Sequence, residues 1–128
     1  MKKMQRQGCG CYRERHNRWI EPSILYLLYE KKKHGYELMT ELPELGFIGK
    51  TVDPGAIYRM LRHLEQAGLV FSQWDTTGSG PARRVYTLSD LGRNHLYRWA
   101  DALEKRRNSL DAFLAKLEAI LQKKEDKP

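Results

Sequence analysis

Cysteine is nearly absent from this chain. Cys9 and Cys11 are the only two in 128 residues, too few and too close together for a disulfide framework. Long apolar runs are missing as well. The longest is Ile24-Leu25-Tyr26-Leu27-Leu28-Tyr29, enough for a buried helix turn or two but far short of the roughly 18 residues that mark a membrane span. The basic amino terminus lacks the apolar stretch of a secretory signal, so the expected location is the cytoplasm. Catalytic signatures are lacking too: there is no Gly-rich phosphate loop, no nucleophile elbow and no HExxH. His34, His63 and His95 are scattered with no carboxylate pair among them, and no enzyme is expected. Acids are the minority charge. Sixteen Asp and Glu face 23 Lys and Arg, a net +7. An acidic partner follows, and charge alone leaves nucleic acid and an anionic surface both open.

What is present divides into three parts: residues 1–19, 20–88 and 89–128. In residues 1–18, six basic residues stand against Glu14 alone, a net +5. This polar arm has no periodicity and is expected to be disordered. It carries Cys9, Cys11 and His16, donors that suit a soft metal. Flanking arginines lower thiol pKa values and favour redox chemistry; free thiols on a floppy arm is the competing reading. No other cofactor is expected.

The middle part holds three helices and a hairpin. The first helix starts near Ile20, where Pro22 is tolerated early, turns Ile24, Leu25, Leu27 and Leu28 inward, and ends at Lys31-Lys32-Lys33. His34 and Gly35 mark a junction, with His34 as a cap. The second helix covers Tyr36 to Leu42, with Leu38, Met39 and Leu42 inward and Pro43 at its end. A loop over Gly46 to Val52 leads to the third. That helix has Asp53 as N-cap and Pro54 at the first helical position, and Gly68 just past its end. Ile57, Leu61 and Leu64 form one apolar stripe. The opposite side shows Gly55, Arg59 and Arg62, flanked by Tyr58 and His63. A helix that packs on one side and displays arginine on the other suits a DNA groove. Leu69 to Trp74 is rich in strand formers, Thr77-Gly78-Ser79-Gly80-Pro81 is turn material, and Arg83 to Leu88 returns, with Val85 alternating with Arg84 and Tyr86. Arginines at such a hairpin reach a minor groove or the phosphate backbone.

The last part is one long helix, capped by Ser89 with Asp90 in its first turn. Leu96, Trp99, Leu103, Arg106, Leu110, Phe113, Leu117 and Ile120 follow steps of three and four, broken only by Arg106 and widened by Leu114 and Leu121. A stripe this long needs covering. A second copy of the chain is the expected cover; folding back onto its own domain is the alternative. The fold expected is mainly α with a small β-hairpin: a winged helix-turn-helix plus a long C-terminal dimerisation helix. The expected partner is double-stranded DNA, bound by a homodimer at a two-fold site. A protein–protein adaptor using the same surfaces is the competing class, and an architectural DNA binder is disfavoured because arm and wing lack an apolar wedge.

Over roughly residues 20 to 100 the sequence resembles the PadR family of transcriptional regulators. The resemblance is carried by Leu25-x-x-Leu28, His34-Gly35-Tyr36-Glu37-Leu38, Pro54 to Glu65, Gly68-Leu69-Val70, and Arg83 to Ser89 with Gly92. It implies a dimeric winged-helix protein, usually a repressor, whose C-terminal helix pairs with its symmetry mate. It also implies DNA contacts at Tyr36, Gly55, Tyr58, Arg59, Arg62 and the wing arginines Arg83 and Arg84. The single C-terminal helix looks like the compact branch of the family. Family members often have a polar residue before the helix glycine, where Pro54 stands here; Thr51 and Asp53 are then candidates for the missing phosphate contact or cap. Some compact members bind flat aromatic compounds between subunits, against tryptophan. By that similarity Leu96 and Trp99 are effector candidates, and plain packing of the dimer core is the alternative for Trp99.

Overall fold

The computed structural model describes residues 19–46 and 52–126. Helix α1 covers residues 19–30. A two-residue strand β1 (Lys33–His34) follows, then α2 (Gly35–Glu41), a 3-10 turn over Leu42–Leu45, α3 (Pro54–Gln66), strands β2 (Val70–Asp75) and β3 (Arg83–Leu88), and α4 (Asp90–Asp126). Cys9, Cys11, His16 and Thr51 lie outside the described residues. The described residues form two compact units, one up to Leu96 and one from Tyr97 onward.

The core of the first unit is where the apolar periodicities put it. Ile24, Leu25, Leu27 and Leu28 of α1 are buried, as are Leu38 and Leu42, Ile57, Leu61 and Leu64 of α3, and Val70, Tyr86 and Leu88 of the strands. Each fully buried aliphatic side chain contributes about 2 kcal/mol. Met39 is only half-buried, so the second helix turns two residues inward rather than three. That helix stops at Glu41 because Pro43 cannot donate to the next turn; Gly46 then takes φ 89 to close the 3-10 turn.

The expected two-stranded hairpin is a three-stranded antiparallel sheet, in the order β1-β3-β2. Lys33 pairs with Tyr86 and His34 with Val85 on one side of β3, and Ser72 pairs with Tyr86 on the other. Lys33 therefore does not end α1 in solvent. It is 4% exposed, and its ammonium lies 3.0 Å from the Glu41 carboxylate. Burial of a charge demands such a partner. Within β3 the inward positions are Tyr86 and Leu88, and Val85 is half-buried on the other face.

A corner of hydrogen bonds joins β2, β3 and α4. Ser89 donates its N–H to the Leu69 carbonyl at 3.0 Å and its hydroxyl to the Gly68 carbonyl at 2.6 Å. The same hydroxyl oxygen accepts the Gly92 N–H at 3.0 Å, the N-cap expected of Ser89. Further along, Arg93 lies over the Tyr29 ring, 4.9 Å from its centroid, and His95 meets Glu21 at 2.6 Å. These contacts explain why the opening turns of α4 belong to the first unit. Among the described residues no helix is long and apolar enough to cross a membrane.

In the second unit, Trp99 and Leu103 are half-buried, whereas Leu110, Phe113, Leu114, Leu117, Ile120 and Leu121 are exposed. Fold-back onto the chain's own domain is not what the helix does with this stripe.

Candidate nucleic-acid interface

Helix α3 starts as its sequence dictates. The Asp53 side chain accepts the Gly55 N–H at 3.3 Å, and Pro54 needs no partner for its missing donor. At the other end Gly68 has φ 79, a conformation only glycine takes freely, and Leu69 donates back to the Leu64 carbonyl at 2.9 Å. With Ile57, Leu61 and Leu64 buried, Tyr58, Arg59, Arg62 and His63 are left exposed on the outer side. Arg59 bends back over Gly55 toward Asp53, its guanidinium 3.7 Å from the carboxylate. An exposed pair of this length is weak, so Arg59 is available to a stronger anion.

Helix α2 enters at His34, whose N–H donates to the Glu37 carboxylate at 2.8 Å. That bond holds the Glu37 carboxyl below its ordinary range, against the opposing effect of burial. The His34 ring contacts Glu37 at 3.1 Å through Nδ1 and Asp75 at 3.2 Å through Nε2, so it ties α2 to the base of the wing. Gly35 is where α2 meets α3: a Cβ there would lie 3.2 Å from the Tyr58 ring. Tyr58 packs over that glycine, and Tyr36 beside it stands 71% exposed.

Between these helices and the wing lies a recess of about 700 Å3. Tyr36 and Tyr58 line one side, Trp74, Arg83, Arg84 and Tyr86 the other, with His34 and Gly35 at the base. The structure thus gathers four of the sequence-derived candidates, Tyr36, Tyr58, Arg83 and Arg84, around one concavity. Arg59, Arg62 and His63 do not line it; they present the outer face of α3 beside it. Burial pushes the Tyr86 phenol up, with Arg84 and Arg62 acting in the opposite direction.

Two features of this surface escaped the sequence reading. Trp74 looks like an ordinary strand former but is 62% exposed. Arg84, its cross-strand partner, stacks on its ring at 5.1 Å from the centroid. Arg84 is also fixed by its Nε donating to the Ser72 hydroxyl at 2.9 Å, and that hydroxyl donates to Glu65 at 2.7 Å. Cross-strand alternation pointed to Arg83 and Arg84 as facing opposite ways, but nothing local pointed to Ser72 and Glu65.

The wing tip is organised by Asp75, which accepts from the Thr77 hydroxyl at 2.6 Å and the Thr77 N–H at 3.0 Å. These bonds, and then His34, hold its carboxyl down at about 2, against 3.8 ordinarily. A carboxyl lowered on folding stabilises above its unfolded value and loses that contribution as pH falls through the folded one. The Asp75 side-chain carbon resonance is therefore expected to titrate near pH 2, and Thr77→Val should move the midpoint up toward 4. A midpoint near 4 in the wild-type protein would remove the turn from this account. Among the described residues no three His, Cys, Asp or Glu side chains converge as a metal site.

A sequence profile of the transcriptional regulator PadR-like family matches residues 24–98. The chain belongs to the PadR-like family. A transcriptional regulator of Mycobacterium tuberculosis is 37% identical over 82 residues, 64% of this chain and 73% of that protein. A PadR-like transcriptional regulator from Bacillus cereus is 28% identical and superposes with a TM-score of 0.65, over 73% of this chain and 89% of that one. Bacillus subtilis PadR, solved in complex with operator DNA, is 28% identical with a TM-score of 0.57. That match covers 65% of this PadR-like chain and 46% of the other. PadR-like proteins are transcriptional regulators, not enzymes, in keeping with the lack of catalytic signatures.

Proposed function

We propose that this PadR-like regulator acts in the cytoplasm as a homodimer that binds double-stranded DNA at a palindromic operator and represses transcription. The observation that carries the reading is α3, whose buried stripe leaves Arg59 and Arg62 outward beside the arginine-bearing wing. Bacillus subtilis PadR, caught on its operator, supports DNA as the partner. The exposed stripe of α4 supports a second copy of the chain as its cover. Two copies of α3 related by a two-fold axis enter successive major grooves about one helical turn apart. Arg59 and Arg62 then pair with guanine edges or phosphates, and roughly six to ten phosphate contacts per dimer make binding steeply salt-dependent. An effector acts by favouring a spacing of the two copies of α3 that misfits the operator. Trp99 is the candidate for a planar aromatic effector, and Cys9, Cys11 and His16 for a soft metal.

Selection of duplexes from a random pool tests the reading. A two-fold symmetric motif is expected to be enriched, and repeating the selection with planar dyes or zinc present reads the effector response. On the enriched duplex, Arg59→Ala/Arg62→Ala is expected to lose about tenfold in affinity per arginine while its dimer persists. A double variant that binds as tightly as wild type would leave the adaptor reading in its place.

A further inference from the structure

We propose that Trp74 is a DNA-contacting residue of the wing, its indole packing on a deoxyribose while it holds Arg84 against the neighbouring phosphate. The proposal rests on the DNA-binding reading above and adds a residue that nothing in that reading required. Along the core face of the hairpin, Val70 and Leu88 are buried, then Tyr86, and at the next pair the core has ended. Trp74 and Arg84 occupy that outer pair. An indole 62% exposed there contributes nothing to the fold in proportion to its size. It does provide a shelf: the Arg84 guanidinium lies on it at 5.1 Å, with Ser72 fixing the Nε and Glu65 3.9 Å from the outer nitrogen. Arg84 is thereby held in one orientation before any partner arrives, which reduces the entropy lost on binding.

The chemistry of the recess names the partner. It sets aromatic rings from both sides, Tyr36 and Tyr58 against Trp74, around the positive charges of Arg83 and Arg84. A sugar–phosphate strand matches that alternation, with an apolar ribose face and an anion at each step. At about 700 Å3 the recess has room for such a unit. Glu65 does not touch DNA in this arrangement; it is a positioning residue, acting through Ser72 and Arg84.

The test uses the full chain with the random-sequence duplex pool at low salt and the duplex enriched from it. Trp74→Ala is expected to bind about tenfold more weakly and to lower the slope of log affinity against log salt by about one, the signature of a lost phosphate contact. Trp74→Phe keeps a ring and is expected to retain the wild-type slope. In protein carrying 5-fluorotryptophan, the Trp74 fluorine resonance, assigned by its absence from Trp74→Phe, is expected to shift when duplex is added. Equal affinity and slope in Trp74→Ala and wild type, or a fluorine resonance indifferent to duplex, overturns the proposal while leaving DNA binding intact. A wild-type chain that binds no duplex at all sinks the DNA-binding reading, and this proposal with it.

Discussion

Leu110→Glu combined with Leu117→Glu is expected to leave a folded monomer that has lost operator binding. In the single chain these side chains are 57% and 38% exposed, so charging them removes little from the folded chain itself. In a paired α4 they become buried carboxylates without partners, which a helix seam does not tolerate. Leu110 sits one step beyond Arg106, the one break in the heptad, so the apolar half of the seam begins there. Loss of the dimer separates two half-site contacts that were linked. Linkage of this kind multiplies affinity by about 10²–10⁴ without adding a contact, and a fall of that order is expected on the enriched duplex. Lys116→Glu, exposed on the same helix, changes the formal charge by the same amount and controls for electrostatics. Light scattering reads the mass, and a variant that still weighs two chains would show that the dimer lies elsewhere.

The contrast between the helices and the sheet shows where sequence reasoning has purchase on this molecule. Helix α3 was legible because three independent local signals agree: a capping Asp53 with Pro54, a 3.6-residue stripe, and Gly68 at the exit. The hairpin was legible from its strand formers and its Gly-Pro turn. Strand β1 was not. Lys33 and His34 have no strand propensity, and they are a strand only because β3 offers them a free edge. The burial of Lys33 follows from that pairing, and Glu41 is its partner only because α2 turns back toward it. The interface divides in the same way. Arg59, Arg62, Tyr58 and Tyr36 were readable as outward positions on helices. Trp74 and the group that holds Arg84 depend on how far the hairpin extends past its core, which is a tertiary distance with no local pattern. Residues 47–51, with Thr51 among them, lie outside the described residues, so the phosphate contact assigned to Thr51 remains an expectation of the sequence.

Gly92→Ala is expected to destabilise the protein by about 3 kcal/mol, although alanine is the better helix former. Propensity alone favours alanine by about 1 kcal/mol inside a helix. Against that stands the corner where α4 begins. Gly92 is buried, and a Cβ there would overlap the Leu69 carbonyl oxygen and lie 2.6 Å from Leu88 Cδ1. A leucine methyl can turn aside, but the carbonyl cannot. It accepts the Ser89 N–H, and the Ser89 hydroxyl is itself held by the Gly68 carbonyl and the Gly92 N–H. Moving the oxygen breaks this set of bonds; moving the helix drags Leu88 out of the core. Overpacking of buried sites typically costs about 1–3 kcal/mol and more where the backbone is the obstacle, so the clash outweighs the propensity gain. The expected readout is a fall in melting temperature of roughly 10 °C. Asn94→Ala, exposed two residues further along, has no such neighbour and should leave the melting temperature unchanged or slightly raised. If Gly92→Ala melted at or above the wild-type temperature, the close approach of α4 to Leu69 would be wrong. The wing would then be free to swing on the helix rather than being fixed at its root.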